Sequence, residues 1–291
     1  QLGVSLAPPV PCRPVAILLA LAAAAFSGSG DFLGGLASRR GRVMAVVLFN
    51  HIAGVFAVLA LGPLFGGTLD RPTIWWGAAA GLSGAFAVVS LYRGFALSSM
   101  AIVSPIAAVG AGVWPALWQI VRGDVPSPVV MAGLIVGLVA IWTISSGGHA
   151  HEAEDVRSGV MYGMLAGLGF GGLLIFLSLG SDSSGIWALL PARVAGSIAV
   201  FFVVVATGRE LIPHRKALAP SLGAGFLVTL GNGLFIVATT KGSLAVVSVL
   251  AAMFPAATVI LAWLVLGERL TRQRQVGLAL ALVAVGLVAG G

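Results

Sequence analysis

The chain has 291 residues, of which 59% are apolar and only 9% charged, with a mean hydropathy of +1.08. A soluble domain is ruled out by that balance, and 41 glycines would cripple a soluble helical protein. The formal charge of +7 rests on short loops and so bears on membrane orientation, not on nucleic acid. One cysteine, Cys12, excludes a disulfide scaffold and a cysteine metal site.

In chain order, residues 1–14 read as a tail, and ten apolar stretches of membrane length follow. They are expected at 15–37, 44–65, 74–97, 101–121, 128–147, 159–180, 186–207, 221–240, 243–266 and 275–291. The predicted fold class is all-α integral membrane, because open strands cannot satisfy their backbone in lipid. The first stretch carries Asp31, the second Asn50 and His51, and the third Arg93. Their shared depth predicts an Asp31–Arg93 ion pair with Asn50 or His51 beside it. Such a cluster is either a gate or proton-linked group, or a structural pair that fixes helix packing.

Further along, Ser104 starts the fourth stretch and Trp114 lies deep in it, next to Pro115. With Tyr92, Trp114 is read as an aromatic cavity wall, and Met253 as an adaptable wall opposite. Lipid-facing or core packing is the alternative for all three. Pro105, Pro115, Pro191 and Pro255 predict kinks. Residues 148–158 read as a polar linker, in which His149 and His151 resemble metal ligands only superficially; no metal or cofactor is expected. Gly159, Gly163, Gly167 and Gly171 form three GxxxG steps, which serve either internal packing or a homodimer. Arg193 is read as a carboxylate clamp or as a partner of Asp182. Asn232, between Gly231 and Gly233, is read as lining a midplane site, and Ser248 matches Ser104.

The second half repeats the first at an offset of 144 positions. Gly28 recurs as Gly172, Gly81 as Gly225, Ser104 as Ser248 and Gly133-Leu134 as Gly277-Leu278. Five crossings per half invert one half against the other, so two inverted five-helix repeats, 15–147 and 159–291, are expected. With the N-terminus on face A, ten of the 16 basic residues fall in loops on the opposite face B and four on face A. The positive-inside rule then makes face B cytoplasmic.

Residues 243–289 resemble the C-terminal module of EamA-type drug/metabolite transporters, through Pro255, Thr258, Gly267-Glu268-Arg269 and Gln275-Val276-Gly277. Gly28 to Phe32 (GSGDF) resembles the first-helix pattern of that family, and Gly123-Asp124 a degraded copy of the Gly-Glu turn. The resemblance implies a ten-helix bundle in the inner membrane, a central cavity lined by the first four helices of each half, and alternating access. It implies export of amino acids or related metabolites, aromatic ones included, and both termini in the cytoplasm, against the charge count. Amphipathic metabolites or drugs are the alternative cargo. An enzyme acting on lipids would need a clustered nucleophile, acid pair or metal triad at membrane depth, and the chain offers one deep Asp and one deep His. No nucleotide-binding loop appears.

Overall fold

The computed structural model describes residues 14–123, 127–145, 153–208, 210–242, 247, 250–268 and 271–290. Ten α-helices occupy them: α1 Pro14–Arg40, α2 Val43–Phe65, α3 Arg71–Leu97, α4 Met100–Val121, α5 Pro128–Ser145, α6 Ala153–Ser178, α7 Leu189–Ala206, α8 Arg215–Thr239, α9 Phe254–Leu266 and α10 Arg272–Gly290. No strand occurs among the described residues. Among the described residues seven helices are long and apolar enough to cross a membrane, and Pro128–Ile144 and Phe254–Leu266 are shorter apolar helices. The expected span at 243–266 is broken by a turn at Ala252–Met253, one residue before α9 begins with Pro255 in its first turn. Pro105 and Pro115, by contrast, lie within an uninterrupted α4.

The polar linker also differs from expectation, because α6 already begins at Ala153. Asp155, close to its start, carries the negative charge that a helix N-terminus favours, so this acidic stretch is helical where it read as loop. Before α7, a 3-10 segment Asp182–Ala188 turns at Gly185, whose φ of 52° suits glycine.

Helices of the two halves interleave in reciprocal pairs. α1 lies along α8 and α3 along α6; α2 packs on α8 and α3 on α7; α1 meets α9 and α4 meets α6; α2 also touches α7, and α5 lies along α10. The repeat-related Gly81 and Gly225 serve matching crossings. Gly81 on α3 abuts the Ala192 backbone on α7, and Gly225 on α8 abuts the Asn50 backbone on α2. A side chain at either position would strike a carbonyl, so both crossings depend on glycine. The glycine ladder of α6 is spent inside the chain, where Gly159, Gly163, Gly167 and Gly171 seat Ser98, Ile106, Gly110 and Trp114 on or beside α4.

The main buried cluster lies toward face B. Phe32, Val46, Val47, Leu48, Leu91, Tyr92, Phe95, Met100 and Val103 close the space between α1, α2, α3 and α4.

Candidate functional site

Four helices bring polar side chains together near mid-membrane: Asp31 from α1, Asn50 and His51 from α2, Tyr92 from α3 and Arg193 from α7. Glycines make the approach possible. The Arg193 side chain crosses α2 at Gly54, where a Cβ would stand 2.8 Å from its Cδ and Nε. The tip of the Tyr92 ring rests on Gly34 of α1, and the His51 ring rests on Gly196 of α7. Gly34 follows Asp31 by three residues, so the tyrosine hydroxyl and the carboxyl share one face of α1.

The hydrogen bonds form a chain. Arg193 donates from NH1 to Asn50 Oδ1 at 3.3 Å, and Asn50 Nδ2 donates to the Tyr92 hydroxyl at 3.0 Å. His51 donates from Nδ1 to the Val47 carbonyl at 3.0 Å, which leaves Nε2 toward Gly196. Asn50, His51 and Tyr92 are buried, whereas Asp31 and Arg193 are half-buried although protein surrounds both. Among the described residues no hydrogen bond or ion pair joins Asp31, an acceptor, to Arg193, a donor.

The site is sealed toward face B in two layers. The first is the cluster containing Tyr92 and Phe95, whose rings stack at 6.3 Å. The second is an ionic seam at the membrane surface. Arg39 at the end of α1 meets Glu268 Oε1 at 2.5 Å, and it also donates to the Phe95 carbonyl at 2.8 Å and the Ser98 carbonyl at 3.2 Å. Ser99 donates to Glu268 Oε2 at 2.7 Å. Glu268 follows Gly267, which ends α9 in the left-handed conformation (φ 68°) and turns the chain back over α1. Beside this seam Arg42 pairs with Glu210 at 3.2 Å.

Face A is joined differently. The α2–α3 turn meets the 3-10 segment through hydroxyl and backbone bonds: Thr73 with Ser184 at 2.5 Å, Thr68 N–H to the Ser183 carbonyl at 3.1 Å, and Thr68 with Ser183 at 3.3 Å. Asp70 caps α3 by accepting from Thr73 N–H at 2.9 Å, and that bonding holds its carboxyl below the usual carboxylate range.

Five residues singled out in the sequence thus converge: Asp31, Asn50, His51, Tyr92 and Arg193. The expected Asp31–Arg93 pairing is corrected. Arg93 is exposed, because α3 turns Tyr92 inward and the next residue points about 100° away. The basic side chain bonded into the cluster is Arg193, through Asn50. Trp114 is 40% exposed and sits on Gly171 at the α4–α6 seam, apart from the cluster. Ser104 is buried in α4 with its hydroxyl unbonded, and Met253 caps α9, so neither joins the cluster. Asn232 is half-buried on α8, about two turns toward face A from the Gly225 crossing. Ser248 lies outside the described residues. Sequence reading missed the seam of Arg39, Ser99 and Glu268, since Arg39 counted only as a loop charge. Two motif elements of the sequence do meet: Thr258 of α9 donates to the Gly28 carbonyl of α1 at 3.0 Å.

This is the build of a multi-pass membrane protein. Residues 157–290 match the EamA-like transporter family, which supports membership of the drug/metabolite transporter superfamily. An uncharacterized protein of Methanocaldococcus jannaschii is 24% identical over 129 residues, which are 44% of this chain and 94% of that protein. A solved crystal structure shares the fold over 94% of this chain and 97% of its own, with a TM-score of 0.57 at 13% identity.

Proposed function

We propose that this protein is an inner-membrane secondary transporter that exports small zwitterionic metabolites, amino acids foremost, by alternating access through the cavity between α1, α2, α3 and α7. One observation carries the reading: Asp31 from the first half and Arg193 from the second belong to one polar cluster of α1, α2, α3 and α7, with no bond between them among the described residues. A site with one positive and one negative group has no net charge, and a zwitterion keeps it so while giving each group a partner. A simple anion or cation would leave one buried charge uncompensated, which is costly at membrane depth.

Support for alternating access comes from the reciprocal helix pairs. Exchanging the halves maps the α1–α8 contact onto α6–α3 and the α2–α8 contact onto α7–α3, as two inverted five-helix repeats would require. Rocking of one repeat against the other opens one face while closing the other. The test is counterflow of labelled amino acids, aromatic ones included, into proteoliposomes holding the purified protein. Saturable uptake that depends on preloaded amino acid supports the reading. Absence of counterflow for every amino acid overturns it and turns attention to amphipathic metabolites of other kinds.

A further inference from the structure

The hydrogen-bond chain at the site has a direction, and that direction fixes what the Tyr92 hydroxyl can do. A guanidinium has donors and no acceptor, so the Arg193–Asn50 bond obliges Asn50 to present its oxygen to Arg193. The amide nitrogen, which carries no free lone pair, then faces Tyr92 and donates to it. The Tyr92 oxygen is the acceptor in that bond, and its own proton must go elsewhere.

Asn50 is 2% exposed and Tyr92 1%, and Gly34 and Phe95 hold the ring in place, so neither group is free to reverse the chain. The hydroxyl tip rests on Gly34, one turn along α1 from Asp31, and is joined through Asn50 to Arg193. Three sets of valences therefore belong to one cluster: the Tyr92 O–H, the remaining N–H groups of Arg193, and the lone pairs of Asp31. His51, the remaining titratable group beside Arg193, is turned away by its bond to Val47.

We propose that Tyr92 is a specificity-determining residue whose hydroxyl, locked as a donor by Asn50, binds a substrate carboxylate together with Arg193, while Asp31 takes the substrate ammonium. Resting on the zwitterion reading above, the inference adds the group that reads the carboxylate. Two donors from different helices, one charged and one neutral, favour a carboxylate over a single-acceptor group and fix its orientation. Asn50 acts as a positioning residue: it touches no substrate but sets the sense of the Tyr92 hydroxyl.

The test uses three probes on one skeleton: L-phenylalanine, 2-phenylethylamine, which lacks the carboxylate, and 3-phenylpropionate, which lacks the ammonium. Binding of each to the detergent-purified protein is measured for the native chain, Tyr92→Phe and Asn50→Leu, with circular dichroism and size exclusion as controls of fold. The native chain is expected to prefer phenylalanine to both analogues. Tyr92→Phe is expected to weaken phenylalanine and phenylpropionate about tenfold and phenylethylamine less than twofold. Asn50→Leu is expected to give a smaller loss with the same selectivity. Equal weakening of all three probes marks a merely structural role, and no weakening marks no role; either overturns the inference while leaving the zwitterion reading in place. A native chain that binds none of the three overturns both.

Discussion

The two membrane faces of this protein are joined by different chemistry. On face B the ends of α1, α3 and α9 are tied by Arg39 and Glu268, with Ser99 and two backbone carbonyls completing the set. On face A the α2–α3 turn and the 3-10 segment are tied by serine and threonine hydroxyls and by one capped helix start. Charge-assisted bonds are about twice as strong as neutral ones, and they are sensitive to salt and to loss of one partner. Hydroxyl bonds break and re-form at lower cost. The proposed repeat explains why the faces correspond, and their side chains explain why they are not equivalent. At the position 144 residues after Arg39 stands Ser183, so the ionic seam has no arginine counterpart on face A.

What the faces share is the packing between halves, and breaking it should have the largest effect. Gly81→Leu and Gly225→Leu each drive a side chain into a helix crossing. Each should lower stability by about 1–3 kcal/mol, and by similar amounts, if the two crossings are equivalent. Thermal unfolding in detergent measures both. Next comes the ionic seam. Glu268→Ala should cost about 2 kcal/mol, because it removes the charged partner of Arg39 and leaves it only the Phe95 and Ser98 carbonyls, with side-chain exposures of 27% and 15% in the pair. Arg42→Ala should cost at most about 1 kcal/mol, since that pair is 57% and 72% exposed. High salt should narrow the difference between native and Arg42→Ala more than between native and Glu268→Ala. The smallest effect belongs to face A. The Asp70 carboxyl lies below its ordinary 3.8 in the folded chain, so its cap contributes in full above that pH and is lost as pH falls through the lower folded value. Asp70→Asn should remove this acid-limb loss, read as a flatter melting temperature below about pH 4, while leaving neutral pH nearly unchanged.

The sequence made the membrane class and most helices legible, because a span of apolar residues leaves few alternatives in lipid. It located Asp31, Asn50, His51 and Arg193 by the cost of polar groups at depth and Tyr92 only as an aromatic wall, and the structure brings Asn50, Tyr92 and Arg193 into one hydrogen-bond chain. Depth alone does not give azimuth, which is why Arg93 was paired with Asp31 while the adjacent Tyr92 is the residue that faces inward. Nor does it reveal which distant helix comes near. The approach of α7 to α2 depends on Gly54 and Gly196, two among 41 glycines with no individual signature. Aromatic content misled in a similar way, since Trp114 serves a helix seam and remains 40% exposed. In the ninth span the kink expected at Pro255 takes the form of a turn at Ala252–Met253, just before α9.

The central claim is that the two seams alternate, and access from each face tests it most directly. In a Cys12→Ser background, Ser38→Cys reports the buried side toward face B and Asn232→Cys the half-buried side toward face A. A membrane-impermeant maleimide is applied to right-side-out and inverted vesicles, with and without Glu268→Ala. The account predicts a reciprocal change on loss of Glu268, with labelling of Ser38→Cys rising from face B and labelling of Asn232→Cys falling from face A. Unchanged labelling at both sites, or a rise at both, would contradict it.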